Sequence, residues 1–431
     1  MNNMKKRYPK LSLGLVFLAV LVCAQACKSS STIYKAPKVN AFRGGQLPAP
    51  PGMVYVPSGT ILFKSSLDSA DTGKNVSLSA FFIDETEVTN KQYREFINWV
   101  ADSIAVTDYL KDDQYFLNTA DPEGERPINW KKVKKVSPLW KSNDPSIREQ
   151  LAPMILMKGS KRTLNPEVLN YQFTYQKTRG NTKKEYVTDA VLVMPVEDIW
   201  SNDFPNAQLA SLDVNYFSHE SFDYYPVVGV TWRQARAFTD WRGKEIMATL
   251  IKNSYLSGFQ LALSLPTEAQ WQYAAEGKID PRDTTMSTRI TIDGQEKGKE
   301  KLAVNFKQGE GTYSRDGATF TLPVKSYTPN AFGIYNMAGN VSEWTLDAFS
   351  PSAMVFVNDL NPVLLYDANE EDADALKRKV VRGGSWKDNG EQLNSETRNY
   401  SVDYEPHSYI GFRCVMSAFE MPTVQSKTRK Y

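Results

Sequence analysis

The sequence is poor in the residues that redox and metal-dependent enzymes most often use. It contains only two histidines and three cysteines. We expect His219 and His407 each to be a surface or hydrogen-bonded histidine, because they are separately placed in the sequence. The 51 basic and 49 acidic residues nearly cancel, so the charge balance does not point to nucleic acid as a partner.

The apolar run near the N-terminus, Leu11–Val22, is too short to span a bilayer as a stable helix. A basic segment precedes it, Lys5–Lys10, and the sequence Ala24–Cys27 follows. Small residues directly before a cysteine are similar to a lipoprotein signal-peptidase site. We therefore interpret residues 1–26 as a lipoprotein signal peptide and Cys27 as the lipidation site. The alternative is an ordinary secretory signal cleaved near the same point.

Residues 27–51 are rich in serine, lysine and proline, and prolines keep such a segment extended. We interpret this segment as a lipid-anchored tether that leads to a folded domain at 52–420 and a basic tail at 421–431. After processing, Cys27 would be acylated and only Cys414 would remain as a thiol. The sequence therefore predicts a fold without an internal disulfide.

Three Thr-x-x-Gln segments predict helix N-termini, because the threonine and the glutamine each accept a backbone N–H of the other. They are Thr89–Gln92, Thr231–Gln234 and Thr267–Gln270. Aromatic and aliphatic residues follow each segment at helical spacing. We therefore expect three short, well-capped helices with buried apolar faces.

The region between the first two of these helices, residues 106–225, has no strong hydrophobic period. A structureless loop of this length is unusual in a compact domain. We expect an insertion that either has its own small core or binds a partner. Three isolated tryptophans favour an interface if they are exposed, since tryptophan concentrates at binding hot spots; they are Trp130, Trp140 and Trp200.

The stretch Pro329–Trp344 mixes aromatic residues with glycines and asparagines that favour turns. It is too irregular for a helix and too interrupted for a strand, so it predicts a compact loop over buried aromatic side chains. Its amide and carboxylate oxygens suit a hard cation such as Ca²⁺. The alternative is a structural turn whose asparagines are satisfied locally.

Six segments occur in a fixed order along the chain: Glu85–Asn90, Pro226–Trp232, Leu265–Trp271, Pro329–Trp344, Val381–Trp386 and Ile410–Cys414. In this order they resemble the formylglycine-generating-enzyme (sulfatase-modifying factor) family. The resemblance covers about residues 52–105, 226–276 and 303–416 and leaves the insertion and the tether uncovered. It implies an α+β, formylglycine-generating-enzyme-like (C-type-lectin-like) fold with little regular secondary structure.

Further segments, Pro51–Pro57 and Tyr93–Ala105, together with the lipoprotein-like N-terminus, are similar to GldK/PorK-type lipoproteins of the type IX secretion and gliding machinery. Related GldJ-type lipoproteins share the domain. The resemblance implies a non-catalytic structural subunit in the outer membrane, lipid-anchored and facing the periplasm. It also implies self-association into a ring and a PorN/GldN-type ring protein as partner. We expect the insertion at 106–225 to form part of the surface that contacts this partner.

The catalytic members of the family oxidise a substrate cysteine with copper held by two cysteines. The matching segment here, Trp386–Arg398, contains no cysteine, and a soft Cu(I) ion needs sulfur ligands. A related branch uses a three-histidine iron site, which two histidines cannot form. We therefore expect no copper, no iron and no enzyme activity. The alternatives are a different oxidation in the same cleft, or a carbohydrate- or peptide-binding module that uses it.

The resemblance also implies two structural Ca²⁺ sites built from oxygen ligands. The first would use Asn336, the carbonyls of Gly339 and Val341, and Glu343. The second would use side chains and carbonyls of a neighbouring segment, namely Asn305, Phe306, Asp316 and Ala318. Their role would be to clamp irregular loops that lack a disulfide.

Overall fold

The computed structural model describes residues 49–418 except 66, 68–72, 119–125, 180–184, 251–261, 278–294, 297–298, 301–303 and 312. The predicted signal peptide, Cys27, the tether before residue 49 and the basic tail lie outside the described residues. Within the described part, no helix combines the length and the apolar character that crossing a membrane requires.

Two long helices and several short ones account for the helical part of the described chain. In order they are α1 (Asn90–Ile104), α2 (Trp130–Val133), α3 (Pro145–Gln150), α4 (Ile199–Asp203), α5 (Ala210–Asn215), α6 (Trp232–Leu250), α7 (Glu268–Glu276), α8 (Ala353–Phe356) and α9 (Asp374–Lys377). A π-helical turn, Ala105–Leu110, extends α1. At 19 residues, α6 is longer than the short helix predicted there.

The strands are short as well. They are β1 (Met53–Val56), β2 (Gly59–Phe63), β3 (Lys74–Leu78), β4 (Phe81–Asp84), β5 (Ile155–Lys158), β6 (Lys161–Leu164), β7 (Asn170–Lys177), β8 (Glu185–Leu192), β9 (Leu263–Ser264), β10 (Gln295–Glu296), β11 (Lys299–Glu300), β12 (Ser342–Ala348), β13 (Arg378–Arg382), β14 (Asn399–Val402), β15 (Ile410–Gly411) and β16 (Val415–Ser417). Helices and strands are thus mixed, with modest regular secondary structure, as predicted.

Two four-stranded sheets form the frame. The first sheet has the order β1-β4-β16-β9 and is antiparallel. Strand β4 therefore lies between β1, the first strand of the chain, and β16, the last. The second has the order β14-β13-β12-β15, with β12 and β15 parallel. The remaining strands pair as hairpins, β2–β3, β5–β6, β7–β8 and β10–β11.

The three predicted capping boxes are confirmed. At the start of α1, the Thr89 N–H donates to Oε1 of Gln92 at 2.9 Å, and the Gln92 N–H donates to Oγ1 of Thr89 at 3.3 Å. The same reciprocal bonds join Thr231 to Gln234 before α6 and Thr267 to Gln270 before α7. Each box satisfies N–H groups that a helix N-terminus otherwise leaves unpaired.

The helical faces meet in one aromatic core. Tyr93 of α1 stacks on Phe238 of α6 with ring centroids 5.6 Å apart, and Phe96 meets the same ring edge to face at 5.7 Å. Phe412, which precedes the last strand, packs against the rings of both helices. Its ring centroid lies 5.4 Å from that of Phe238 and 6.3 Å from that of Tyr93. Offset and edge-to-face aromatic pairs contribute beyond their buried area, so this core fixes how the helices sit on the first sheet.

The insertion shares this core. Side chains from along its length, such as Leu139, Tyr171 and Val193, are buried in the same cluster as Tyr93 and Phe238. Of the two alternatives for the insertion, a separate small core is therefore wrong for these side chains. Trp200 is only 1% exposed, which also contradicts its interpretation as an exposed interface residue.

Candidate functional site

The loop at 329–344 closes over buried charge and is tightly turned. Asn336, Gly339 and Asn340 all have positive φ angles, of 51°, 72° and 61°. Glycine and asparagine accept this left-handed conformation more readily than other residues. A Cβ at Gly339 would lie 2.3 Å from the carbonyl oxygen of Asn305, so only glycine fits. The predicted compact loop is therefore confirmed up to Val341, whereas the last three residues of the stretch are the start of strand β12, Ser342–Ala348, and the expectation of no strand is wrong there.

Glu343, the second residue of β12, directly follows the turns of this loop and forms a buried ion pair. Its carboxylate accepts hydrogen bonds from Nη2 and Nε of Arg413 at 2.6 and 2.7 Å, and from Nε1 of Trp271 at 2.8 Å. The side chains of Glu343 and Arg413 are 1% and 0% exposed. A bidentate guanidinium–carboxylate pair with all its oxygens satisfied compensates for the loss of hydration.

A second buried carboxyl group, Glu87, lies under the same loop. It accepts hydrogen bonds from Nδ2 of Asn340 at 2.8 Å and from Nδ2 of Asn336 at 3.1 Å. Burial raises the pKa of Glu87 to about 7, with the charge of Glu343 adding to the effect and Arg413 opposing it. The side-chain amide of Asn336, a predicted calcium ligand, thus contacts a carboxylate that the sequence did not indicate.

The second predicted calcium group is also brought together. Oδ2 of Asp316 accepts the N–H of Phe306 at 3.0 Å, and its Oδ1 accepts the N–H of Ala318 at 3.0 Å. Asn305 donates from Nδ2 to Oδ1 of Asn340 at 3.2 Å, which ties this segment to the loop above Glu343. All four residues therefore belong to one polar cluster beside the loop.

Asp316 differs from Glu343 in its charge balance. Its carboxylate accepts three N–H donors, the third from the Gln308 amide at 2.7 Å, and burial raises its pKa. No cation pairs with it among the described residues. A half-buried carboxylate without a counter-charge is a ligand that a hard cation accepts, whereas both oxygens of Glu343 already accept hydrogen bonds from Arg413 or Trp271. The residues present thus fit Ca²⁺ better at Asp316 than at Glu343.

Copper does not fit the residues present. Cys414 is free and fully buried, and its N–H donates to Oδ2 of Asp84 at 2.8 Å. Burial raises the pKa of its thiol, so the thiolate that binds metal is disfavoured. In the described part of the chain, no group of three or more histidine, cysteine, aspartate or glutamate side chains is placed to hold a metal ion.

The segment 386–398, where the resemblance placed the missing cysteines, is filled by its own side chains. Trp386 is 4% exposed and stacks on Trp200 with ring centroids 5.8 Å apart. Arg398 donates from Nε and Nη2 to Glu268 at 2.6 and 2.9 Å. This segment therefore packs against α4 and α7.

His407 has hydrogen-bond partners at both ring nitrogens. Its Nδ1 lies 3.1 Å from Oδ1 of Asp203, and its Nε2 lies 3.0 Å from Oγ of Ser401. The prediction of a hydrogen-bonded histidine is confirmed for His407.

The hydrogen-bonded series Ser401, His407 and Asp203 contains the residue types of a catalytic triad. The sequence did not indicate this grouping, because Asp203 and His407 are 204 positions apart. However, Ser401 is 7% exposed within β14 and lacks the strand-to-helix elbow of hydrolase nucleophiles.

Comparison with known proteins gives one family match. The model of the sulfatase-modifying factor enzyme 1-like domain matches residues 41–418. Curated relatives include the formylglycine-generating enzyme of Streptomyces coelicolor, 30% identical over 200 residues that make up 45% of this chain and 53% of the relative. Another is the "Inactive C-alpha-formylglycine-generating enzyme 2" of Bos taurus, 27% identical over 46% of this chain and 52% of the relative.

These matches are partial. The formylglycine-generating enzyme of Mus musculus is 29% identical over 46% of this chain and 45% of its own length. The chain therefore spans about half the length of the curated relatives it matches. Among solved structures, PvdO from Pseudomonas aeruginosa has a TM-score of 0.40 at 17% identity, covering 85% of this chain and 94% of PvdO. CarF has a TM-score of 0.40 at 18% identity, covering 85% and 97%.

Proposed function

The chain belongs to the family of sulfatase-modifying factor enzyme 1-like domains, and we propose that it is a non-catalytic member that serves as a structural subunit. The observation that carries this proposal is the absence of cysteine from residues 386–398. Without those thiolates the segment has no ligands for Cu(I), and its side chains pack inward against Trp200 and Glu268. In this proposal the fold is retained for its shape and surface. The part of the folded domain outside the insertion at 106–225 is called the scaffold below.

The proposed setting is the type IX secretion and gliding machinery. In this proposal Cys27 is acylated and holds the protein in the outer membrane, facing the periplasm. Support comes from the sequence: a basic segment, a short apolar run and Ala24–Cys27 are followed by a proline-rich tether. Mass spectrometry of the mature N-terminal peptide tests the anchor, and an unmodified or absent Cys27 would contradict it.

The proposed assembly is a periplasmic ring formed by copies of this chain and a PorN/GldN-type partner. Exposed apolar residues on the insertion support a contact surface there, since Met157, Tyr186 and Val214 are 61%, 74% and 69% exposed. Deleting the insertion is not a clean test, because its side chains are part of the main core. Substitutions at its surface leave that core intact.

The surface test uses two matched double variants. We expect Met157→Glu with Tyr186→Glu to abolish co-purification of the partner, because charge at a desolvated contact is costly. Val355→Glu with Phe356→Glu is the control, since these scaffold residues are 77% and 69% exposed. Loss of the complex in the control but not in the insertion variant would move the interface to the scaffold. Electron microscopy of membrane-extracted complexes tests the assembly itself, and isolated monomers would overturn it.

Calcium is proposed as a structural ion of this fold. Asn305, Asp316 and the carbonyls of Phe306 and Ala318 would hold it at the second site. A first site at Asn336, Gly339, Val341 and Glu343 would require the Glu343 carboxylate to give up its bonds to Arg413. When bound, the cation would neutralise Asp316, which pairs with no cation among the described residues. Its effect would be to fasten two irregular segments that Asn305 and Asn340 already join by a hydrogen bond.

A second candidate function is an oxidation related to that of the formylglycine-generating enzymes, and the observation in its favour is the 30% identity to the Streptomyces coelicolor enzyme. Incubation of the purified protein with Cu(I) or Fe(II) and a cysteine-containing peptide, followed by mass spectrometry, separates the two. The structural proposal expects no oxidised peptide above a metal-only control. Metal-dependent oxidation by the protein would overturn it.

A further inference from the structure

A surface pocket of about 460 Å³ lies between α1 and the insertion. None of its lining residues belongs to the loop at 329–344, to the polar cluster around Asp316 or to the segment 386–398. Helix α1 contributes Arg94, Ile97 and Asn98, and β6 contributes Lys161–Leu164. The rest comes from the stretch around α3 and from two later points of the insertion. The insertion therefore forms a concave site together with the scaffold.

The inner wall of this pocket is apolar and aromatic. Leu164 and Phe217 are 4% and 8% exposed and form a packed base with Ile97. Trp140 stands at the side, half-buried, and its Nε1 donates to Oδ1 of Asn98 at 3.0 Å. That hydrogen bond holds the indole to α1. A preformed apolar wall of this kind suits one apolar side chain of a ligand.

The rim is cationic. Five basic side chains and one carboxylate, Glu197, line the pocket. Arg94 forms an ion pair with Asp223, and Nζ of Lys158 lies 2.5 Å from Oε2 of Glu197. The other four cations pair with no carboxylate in the part of the chain described here; they are Lys141, Arg148, Lys161 and Arg162.

This rim stands out because the chain as a whole carries a net charge of only +2. Lys141, Arg148 and Lys161 are exposed, and Nζ of Lys141 lies 4.9 Å from the centroid of the Trp140 ring. Clustered cations around a low-dielectric wall focus a positive potential on the cavity. The pocket thus selects for negative charge around an apolar centre.

We propose that this pocket binds an acidic peptide segment of a partner protein, with one apolar side chain against Trp140 and Phe217 and flanking carboxylates on Lys141, Arg148, Lys161 and Arg162. The inference rests on the proposed function, in which the insertion meets a partner, and it names the chemistry of that partner. Arginine forks hold carboxylates in a fixed orientation, and lysines add charge without one. An anionic membrane would meet the rim but would not use the inner wall.

The test uses the mature full-length protein and short fluorescein-labelled peptides. The probe has one phenylalanine flanked by glutamates, and its two controls replace the glutamates with glutamines or the phenylalanine with glycine. We expect fluorescence anisotropy to show binding of the probe that weakens with added salt. Each control peptide should bind at least about tenfold more weakly. Equal binding of the glycine peptide would remove the role of the inner wall.

A charge-matched pair of variants locates the site. Lys141→Glu with Lys161→Glu reverses the rim and should weaken the probe at least about tenfold. Lys131→Glu with Lys132→Glu makes the same change of net charge at exposed lysines of α2 that do not line the pocket, and it should leave binding unchanged. Equal loss in both would mean that only overall charge matters and would overturn the proposal.

Vesicles and complexes complete the test. If vesicles of phosphatidylglycerol and phosphatidylcholine bind through Lys141 and Lys161 while the peptide does not, the site is for a lipid surface and the proposal is wrong. If the peptide fails to bind but the ring complex still assembles, this inference fails alone. If the peptide binds but no complex forms with any partner, the proposed function fails and the pocket chemistry stands.

Discussion

Charged side chains are buried and paired inside the scaffold, whereas several at the pocket beside the insertion are exposed and unpaired in the described part of the chain. Inside the scaffold, Glu268 is held by Arg382 at 2.9 Å and by Arg398 at 2.6 Å, and all three side chains are at most 2% exposed. Around the pocket, Lys141 and Lys161 are exposed and pair with no carboxylate among the described residues. Both regions contain basic side chains, and whether these are buried or exposed separates their roles.

The difference follows from hydration. A buried charge has lost its water and must be matched by another charge or by several hydrogen bonds. An exposed charge keeps its water, so leaving it unpaired costs little and the charge stays available to a ligand. The buried pairs therefore hold the geometry of the fold, and the rim of the pocket is free to bind. Substitutions in the two regions should consequently differ in what they change.

The largest effect is expected from Arg413→Met. This change leaves Glu343 buried without its guanidinium, which should lower the free energy of unfolding by about 3–5 kcal/mol. Such a loss is a large part of the total stability of a typical domain. Urea denaturation followed by tryptophan fluorescence measures it. The double variant Arg413→Met with Glu343→Leu removes both charges and should recover part of the loss; a single-variant loss below about 1 kcal/mol would contradict the reasoning.

The pH dependence of stability should also originate in the scaffold. Burial, and then the charge of Glu268, raise the pKa of Asp347 from 3.8 to about 7. Because the pKa is higher in the folded state, protonated Asp347 contributes to the free energy of unfolding. This contribution is fully present below about pH 3.8 and is lost as the pH rises through about 7. We expect the loss to be on the order of 2–4 kcal/mol. Denaturant titrations from pH 4 to pH 8 measure it.

Asp347→Asn provides the control for this slope. Asparagine is neutral at every pH, so the variant should lose the part of the slope that Asp347 contributes. Its single oxygen cannot accept both the Glu268 N–H and the Leu364 N–H, each at 2.8 Å in the parent. It should therefore be less stable at low pH by about 1–3 kcal/mol. An unchanged slope would show that Asp347 is ionised in the fold.

Calcium should produce a smaller effect at the edge of the scaffold. If Ca²⁺ binds at Asp316, a concentration of 100 times Kd stabilises the fold by about 2.7 kcal/mol, and chelation with EGTA lowers Tm accordingly. Asp316→Asn should abolish the calcium-dependent part of Tm. Asp359→Asn, at an exposed aspartate, should retain it. An identical Tm with calcium and with EGTA in the parent protein would remove the site.

The smallest change in stability is expected at the pocket. Lys141→Gln with Lys161→Gln should change the free energy of unfolding by less than about 0.5 kcal/mol, because exposed unpaired lysines contribute little to the fold. The same denaturation series that reports Arg413→Met measures it. A loss comparable to that of Arg413→Met would mean that the rim supports the structure, and the contrast between the two regions would not hold.

Local sequence patterns predicted local structure well. The capping boxes at Thr89, Thr231 and Thr267 and the turn at Gly339 depend on neighbours a few positions away, and all were found. The partners of buried charges could not be predicted, because Glu343 and Arg413 are 70 positions apart and their distance depends on the completed fold. Glu87 was missed as a member of the loop cluster for the same reason.

The insertion was the least predictable region. Its hairpin β7–β8 does carry an alternating pattern, with Tyr171 and Phe173 buried between exposed neighbours, but short helical turns on either side obscure that period. Trp200 was a candidate interface residue if exposed, yet it is buried and packs on Tyr216 with ring centroids 4.9 Å apart. Composition shows that a tryptophan will be buried somewhere and not whether the burial occurs within the chain or against a partner.

The order of strands in the first sheet has a consequence for biosynthesis. Ile83 of β4 pairs on one side with Val54 and on the other with Val415, so the sheet cannot be completed until nearly the whole domain has been made. A chain emerging from the ribosome therefore carries a strand with one open edge for most of its synthesis. Contacts of such long sequence separation form slowly, so completion of this sheet is a late step in the folding of the domain.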